Sequence, residues 1–134
     1  MSQDKRRIIL DTNFLLIPGQ FKVDIFQEIG KIMGESYELC IFQPTIDELT
    51  KIASTNTKDK NNAKIALALI KQKNLKSLHN SSKEDSYIDQ IILDNIIDND
   101  IVCTQDKELK RSLKQKNKKI RIMTLKSKKH IDFE

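Results

Sequence analysis

The sequence contains few of the residues that build zinc sites, disulfide frameworks and aromatic binding surfaces. Its 134 residues include two cysteines, two histidines and no tryptophan, and aromatic residues make up 5% of the chain. Cys40 and Cys103 lie in separate apolar runs, as small core residues do, and neither belongs to a CxxC or Cys/His cluster. We therefore expect neither a structural zinc site nor a disulfide framework. Base stacking is a weak means of recognition for such a chain.

Long apolar runs are also absent. No segment approaches the ~20 apolar residues of a transmembrane helix. The apolar patch after the basic N-terminus ends at Asp11, which is too early for a signal peptide. Hydrophobic residues make up 38% and charged residues 32% of the chain, enough for a buried core under a polar surface. These properties predict one domain over residues 1–134, located in the cytoplasm.

Apolar runs alternate along the chain with patterns of helical period. The short runs, which are rich in β-branched residues, predict strands at 8–11, 38–42, 76–78, 100–104 and 120–125. Helical spacing predicts helices over 23–33, from Pro44-Thr45 onward, and over 63–73, 86–99 and 106–116, with polar loops at 54–62 and 81–84. Strands separated by helices indicate an α/β fold of three layers, α/β/α, around a central parallel sheet of four to five strands.

Positive charge is concentrated near the C-terminal end. Residues 107–130 hold eleven lysines or arginines and one acid, a net charge of +10, so the rest of the chain carries −5 of the total of +5. The outer face of the helix predicted at 106–116 carries four of these cations: Lys107, Lys110, Arg111 and Lys114. This basic C-terminal segment is typical either of a surface for a polyanion such as RNA or of a solvated lysine-rich face.

Two aspartates follow predicted strands. Asp11 ends the run IILD, and Asp106 comes just after the run DIVCT. Ligands of parallel sheets bind beyond the carboxyl ends of the strands, so we expect both carboxylates at one edge of the sheet. The alternative for Asp11 is an Asx turn, since Asp, Thr and Asn side chains bond readily to nearby backbone.

Two more acids are expected near the same edge. Glu48 lies in the first turn of the helix after the second strand, with Asp47 beside it as the alternative, and Asp89 lies near the start of the helix at 86–99. We expect that helix to be largely buried, so that Asp89 needs a cation or a base as partner. Four carboxylates without histidine or cysteine favour a hard ion such as Mg²⁺ or Mn²⁺.

Four stretches together resemble the acidic signatures of PIN-domain nucleases: IILDTNFLL, PTIDEL, YIDQII and VCTQDKELKRSL. They occur in the family's order and span the chain from Ile8 to about Leu125. The first and last are the most specific, because they pair an apolar strand ending in Asp-Thr-Asn with a later Thr-x-Asp-x-x-Leu. The stretch FKVDIFQEI and the basic end resemble the archaeal branch related to ribosomal-RNA-processing PIN proteins, and VapC-type toxins share the fold.

The resemblance implies a metal-dependent endoribonuclease with one or two Mg²⁺ or Mn²⁺ ions, acting in rRNA processing or as a toxin-type RNase. The resemblance implies that four acids bind the metal and serve in catalysis: Asp11, Glu48, Asp89 and Asp106. It also implies that Asn13 and Thr104 support this site. The resemblance further implies RNA as substrate, a homodimer as in many members, and an antitoxin or a ribosome-assembly protein as partner.

The third signature departs from the family's pattern. This branch commonly has two adjacent aspartates there, whereas Asp89 stands between Ile88 and Gln90. Either Glu84 or Asp85 in the preceding loop supplies the carboxylate that is missing beside Asp89, or this chain binds the metal more weakly than family members that have both aspartates. The departure supports the alternative function, a catalytically weak or inactive PIN-like scaffold that binds RNA or a protein.

A phospho-receiver or haloacid-dehalogenase-like domain is the alternative from another class, since both are doubly wound with an acid at the end of the first strand. A dehalogenase-like site needs a second aspartate two residues later, where this chain has Asn13. A receiver usually has adjacent acids and a phospho-acceptor in mid-sheet, and neither is evident. The sequence therefore favours the nuclease.

Overall fold

The structure is a computed structural model in which residues 5–34, 36–80, 82 and 86–134 are described. The strands are β1 (Arg6–Leu10), β2 (Tyr37–Phe42), β3 (Lys76–Leu78), β4 (Ile101–Cys103), β5 (Arg121–Lys126) and β6 (His130–Phe133). The helices are α1 (Thr12–Leu15), α2 (Ile17–Phe21), α3 (Ile25–Met33), α4 (Gln43–Ala53), α5 (Lys60–Gln72), α6 (Ile88–Asn95) and α7 (Lys107–Lys116). The loop predicted at 81–84 is described only at Ser82, and Glu84 and Asp85 lie outside the described residues.

The strands form one sheet in the order β3-β2-β1-β4-β5-β6. β1 to β5 are parallel to their neighbours, which confirms the predicted parallel sheet, and β6 adds an antiparallel edge strand. β1 lies between β2 and β4, with Ile9 opposite Cys40 on one side and Val102 on the other. The residues that follow these strands therefore meet at one edge, called here the carboxyl edge.

Helices cover both faces of the sheet, so the three-layer prediction is confirmed. Side chains of a strand alternate between the two faces, and along β1 Ile8 and Leu10 pack with residues of α3, α4 and α5, whereas Ile9 packs with residues of α6 and α7. All three side chains are at most 1% exposed. A strand buried on both faces has no polar alternation, which explains the run IIL.

α1 and α2 were not predicted, because the stretch FLLIPGQF is apolar without a clear helical period. Pro18 lies in the first turn of α2, where its missing N–H costs nothing. Gly19 is required by close packing against α5, since a Cβ atom there would come within 2.4 Å of Asn62 Oδ1 and 2.8 Å of Asn62 Cα.

β6 was not predicted either. Its four residues follow a lysine-rich turn in which Ser127 and Lys128 adopt positive φ values of 53° and 56°. Lys126 pairs with His130 across this turn, and Ile131 N also donates to Glu28 Oε1 of α3 at 3.2 Å. A strand this short in a charged context carries too few apolar residues to be recognised by alternation.

α6 ends at Asn95, before the predicted end at residue 99, because a turn follows it. Asp100 Oδ2 accepts from Ile97 N at 2.8 Å, and Asn99 adopts a φ of 75°. Arg7 of β1 holds the same carboxylate through two bonds, Nε to Oδ1 at 2.9 Å and Nη2 to Oδ2 at 2.7 Å. This ion pair ties the turn to the amino end of β1.

Both cysteines are free and buried, as expected of small core residues. Cys40 of β2 and Cys103 of β4 lie on either side of β1, and burial raises the pKa of the Cys40 thiol to about 12. Such a thiol carries almost no reactive thiolate at neutral pH. Within the described part of the chain, no helix combines the length and the apolar character that crossing a membrane requires.

Candidate metal and active site

Asp11 caps α1 immediately after β1. Its Oδ1 accepts a hydrogen bond from Thr12 N at 2.8 Å, and its Oδ2 accepts from Asn13 Nδ2 at 3.1 Å and from Thr104 Oγ1 at 2.7 Å. The local bond to the backbone that the sequence offered as an alternative is present. It accounts for only one of the three bonds, so a turn alone does not explain this carboxylate.

The environment of Asp11 is unfavourable to its negative charge. Asp11 is 6% exposed, and burial raises the pKa of its carboxyl group. The hydrogen bonds from Thr104 and Thr12 oppose this shift, whereas the charges of Asp106 and Glu48 add to it. A buried carboxylate that is repelled by other acids is stabilised by a cation. Since a carboxylate accepts about four contacts, the three hydrogen bonds leave room for one.

Asn13 and Thr104 join the ends of β1 and β4. Thr104 is fully buried, and its Oγ1 donates to Asp11 while accepting from Asp106 N at 3.1 Å. Asn13 Nδ2 donates to Asp11, and Asn13 Oδ1 accepts from Gln105 N at 2.8 Å. The two side chains therefore fix the position of Asp11 relative to the start of α7.

Asp106 caps α7. Its Oδ1 accepts from Glu108 N at 2.9 Å and from Leu109 N at 3.2 Å, so the free N–H groups at the helix start stabilise its charge. Among the described residues its Oδ2 has no hydrogen-bond donor. One oxygen of this carboxylate is therefore available to a ligand.

Glu48, and not Asp47, faces the other acids. Asp47 Oδ1 accepts from Gln43 Nε2 at 3.1 Å on the exposed side of α4. Glu48 lies in the second turn of α4 and lines the same cleft as Asp11 and Asp106. The structure therefore answers the question that the sequence left open between these two neighbours.

Asp89 lies in the first turn of α6 and is exposed. The prediction that it lies on a largely buried helix is wrong, because α6 buries Ile91 and Ile92 and leaves Asp89 on its solvent side. Asp89 Oδ1 accepts a bond from Gln90 N at 2.9 Å. Burial therefore gives no reason for a cation at Asp89, and only its place in the cleft connects it with the other acids.

One cleft of about 430 Å³ brings the four predicted acids together. Its lining residues are Asp11, Thr12, Asn13, Leu16, Glu48, Ile52, Tyr87, Ile88, Asp89 and Asp106. Four of these residues are acidic and none is basic. Over the described ranges, however, no group of three Asp, Glu, His or Cys side chains is placed to hold one ion. The acids thus share an open cleft and do not form a closed ligand cage.

The chemistry of the cleft fits a hard divalent cation that keeps part of its water shell. All four candidate ligands are carboxylates, and Mg²⁺ typically binds one or two carboxylates, several waters and phosphate oxygens. Thr12 Oγ1 is buried in the cleft wall without a hydrogen-bond partner among the described residues. A water held in the cleft would supply that partner.

Comparison with known proteins now identifies the family. Residues 8–128 match the family model described as a PIN like domain. The chain belongs to the PIN-like domain family. It is 33% identical over 130 residues to Ribonuclease VapC4 of Methanocaldococcus jannaschii, and this alignment covers 95% of each chain. A solved structure, that of the PIN domain endonuclease Utp24, is similar with a TM-score of 0.80 and 25% identity, covering 98% of this chain and 93% of the other. The resemblance inferred from the four acidic signatures is confirmed.

Two of the four cations predicted on α7 of this PIN-like chain are engaged within the fold. The Lys110 side chain is 16% exposed, and its Nζ donates to Thr124 Oγ1 at 2.9 Å and pairs with Glu134 at 3.1 Å. Lys110 therefore does not lie on the outer face as predicted. Lys114 Nζ donates to the carbonyl of Ile120, just before β5, so it lies at the edge opposite the acids.

The other two predicted cations, Arg111 and Lys107, make no bond to another described element of the fold. Arg111 pairs with Glu108 at 2.8 Å on the helix surface, where such pairs contribute little stability. Lys107 follows Asp106 directly and makes no hydrogen bond or ion pair with the described residues. Of the four predicted cations, Lys107 is thus the one that is both free and next to a candidate ligand.

Three residues in or beside the candidate site were not predicted from the sequence. Gln105 Oε1 accepts from Thr124 Oγ1 at 2.6 Å and from Leu125 N at 2.7 Å, so this side chain ties β4 to β5. Thr12 supplies the unpaired hydroxyl, and Tyr87 an exposed ring in the cleft wall. The sequence indicates them only by their closeness to a predicted ligand. Gln105 precedes Asp106, Thr12 follows Asp11, and Tyr87 lies two residues before Asp89.

Proposed function

We propose that this chain is an endoribonuclease that hydrolyses RNA phosphodiester bonds with the help of Mg²⁺ or Mn²⁺. The observation that carries the proposal is the cleft in which Asp11, Glu48, Asp89 and Asp106 converge from separate segments, with no Lys or Arg among the described residues that line it. The names of the two similar proteins, a ribonuclease and an endonuclease, support the same chemistry.

The four acids would hold one or two ions. A bound divalent ion supplies an activated water and neutralises charge on the phosphate. Asp11 serves as the fixed ligand, because Thr104 and Asn13 hold its carboxylate, and Asp106 offers its unbonded Oδ2. The exposed pair, Glu48 and Asp89, reaches the ion directly or through its waters.

The RNA backbone would follow cations at the carboxyl edge. β5 runs parallel to β4, so its last residue, Lys126, and the β5–β6 turn with Lys128 and Lys129 lie at the edge that carries the acids. Together with Lys107 these residues form what we call the basic rim. Arg111 extends it along α7, whereas Lys110 and Lys114 are committed to bonds within the fold.

We assign the activity to one domain formed by residues 1–134, acting in the cytoplasm, where the thiols of Cys40 and Cys103 stay reduced. The biological role is rRNA processing or toxin-type cleavage of RNA. A small antitoxin encoded beside the gene would favour the toxin role, and association with a ribosome-assembly protein would favour processing. A homodimer is also proposed, and analytical ultracentrifugation measures it.

A PIN-like scaffold that binds RNA or a protein without cleaving is the second candidate. It is favoured by the open arrangement of the acids within the described residues and by the lone, exposed Asp89. Incubating labelled RNA with Mg²⁺, Mn²⁺ or EDTA separates the two candidates. A nuclease cleaves with at least one ion and stops in EDTA, whereas a scaffold binds RNA and leaves it intact in all three.

A further inference from the structure

Tyr87 is an exposed ring in the wall of the acidic cleft. Its residue exposure is 83%, higher than that of any other large apolar residue in the described ranges; the next is Ile97 at 60%. Neither its hydroxyl group nor its ring contacts a described residue through a hydrogen bond or ring contact. An aromatic side chain held in water at a candidate active site is available to a ligand with a flat apolar face.

The base of this side chain is fixed although the ring is free. Tyr87 is the residue before α6, and its carbonyl accepts from Ile91 N at 2.9 Å in the first turn. Ile91 is buried in the core, and Ile88, which directly follows Tyr87, packs against the same core cluster. The ring therefore projects from a rigid point, two residues from Asp89, and loses only side-chain rotation when it stacks.

We propose that Tyr87 is a stacking platform for an unpaired base next to the phosphate that the acidic cleft would hold. This inference rests on the proposed nuclease function. A base can stack on a side chain only when it is not paired and stacked within a duplex. Aromatic residues make up only 5% of the chain, so base stacking at the cleft would depend on this one ring.

The affinity test compares Tyr87→Ala with Tyr87→Phe, which keeps the ring, and with Ile97→Ala, which removes an exposed apolar group at the opposite edge. Each variant is made in the Asp11→Asn background with Mn²⁺, so that bound RNA stays intact. We expect Tyr87→Ala to weaken binding of a short single-stranded oligouridylate by about 5- to 100-fold. Tyr87→Phe and Ile97→Ala should bind as the background does, and an RNA duplex should show no dependence on Tyr87. Equal affinity of Tyr87→Ala and the background for the single strand would overturn the inference.

A spectroscopic readout reports the stacking itself. The chain has two tyrosines, Tyr37 and Tyr87, and Tyr37 is half-buried. In the Asp11→Asn background with diamagnetic Mg²⁺ in place of Mn²⁺, NMR signals of the Tyr87 ring should move upfield when the single strand binds, because the ring current of a base shields protons stacked on it. The signals of Tyr37 should stay in place. Bound RNA without a shift at Tyr87 would refute stacking. Cleavage by the wild-type protein tests the nuclease function separately, so a failure of stacking can be distinguished from a failure of the nuclease function.

Discussion

Thr104 Oγ1 donates a hydrogen bond of 2.7 Å to Asp11 Oδ2 across 93 positions of the chain. The two residues follow adjacent parallel strands, β4 and β1, and the same hydroxyl oxygen accepts from Asp106 N. One buried threonine thereby sets the positions of two candidate metal ligands at once.

Thr104→Val removes this hydroxyl with little change of shape. A hydrogen bond to a charged group contributes more than a neutral one, so we expect the free energy of unfolding to fall by about 2 kcal/mol. Mn²⁺ binding should also weaken, by about tenfold or more, because Asp11 loses its support. Urea denaturation and calorimetric titration with Mn²⁺ measure the two effects. Thr104→Ser, which keeps the hydroxyl, is the control, and a Val variant as stable as wild type would show that the bond contributes nothing.

The raised pKa of Asp11 predicts a pH dependence of stability in the absence of metal. The folded protein holds this proton more tightly than the unfolded chain. The stabilisation is therefore complete below the unfolded pKa of about 3.9 and is lost as pH rises through the raised value. In EDTA, wild type should lose stability relative to Asp11→Asn as pH rises above the unfolded pKa, and urea denaturation at a series of increasing pH values measures this. Adding Mn²⁺ at the upper pH should stabilise wild type more than the variant. Parallel stability curves in EDTA would rule out a charge penalty at Asp11.

The Arg7–Asp100 ion pair should stabilise the fold without affecting RNA cleavage. Asp100 is 3% exposed, and its carboxylate accepts two hydrogen bonds from the Arg7 guanidinium, which also donates to the Asn95 carbonyl. The hydrogen bond to Asp100 raises the pKa of Arg7. Asp100→Asn leaves a partly buried cation without its charged partner, so we expect a loss of about 2–4 kcal/mol in unfolding free energy. Cleavage per folded molecule should be unchanged, since the pair lies at the edge opposite the cleft. Loss of cleavage in a fully folded variant would show that this edge takes part in the reaction.

The basic rim predicts a difference between two pairs of lysines. Lys128→Glu with Lys129→Glu should weaken RNA binding and flatten its salt dependence, because each phosphate contact contributes about one unit to the slope of log K against log salt. The matched control is Lys118→Glu with Lys119→Glu, which makes the same change of charge beside the amino end of β5. Fluorescence anisotropy at several salt concentrations measures both. Equal losses from the two pairs would mean that RNA responds to net charge and does not follow the rim.

The carboxyl-edge position of Asp11 and Asp106 could be predicted from the sequence because it follows from local features. Buried parallel strands are continuous apolar runs, and polar residues directly after such runs have only one edge to occupy. The bounds of β3, predicted at 76–78, also match the structure, although this strand buries only Leu78.

Other features depend on partners distant in the sequence and could not be predicted. Helical period shows that α6 has an apolar face, but whether Asp89 lies on it depends on how the helix packs on the sheet. Lys110 reads as a surface lysine until β5 and the chain end supply Thr124 and Glu134. The four residues of β6 have little strand pattern of their own. They form a strand because β5 lies beside them and pairs with them.

We propose that the acidic cleft holds divalent ions that support RNA cleavage, and an assay of Asp11→Asn beside wild type tests this proposal most directly. Wild type should cleave labelled single-stranded RNA in Mn²⁺ and be inactive in EDTA. Asp11→Asn, folded to the same extent, should lose more than about 100-fold in rate while it still binds the RNA. Cleavage by the variant at the wild-type rate, or intact RNA in every metal with the wild-type protein, would contradict the claim.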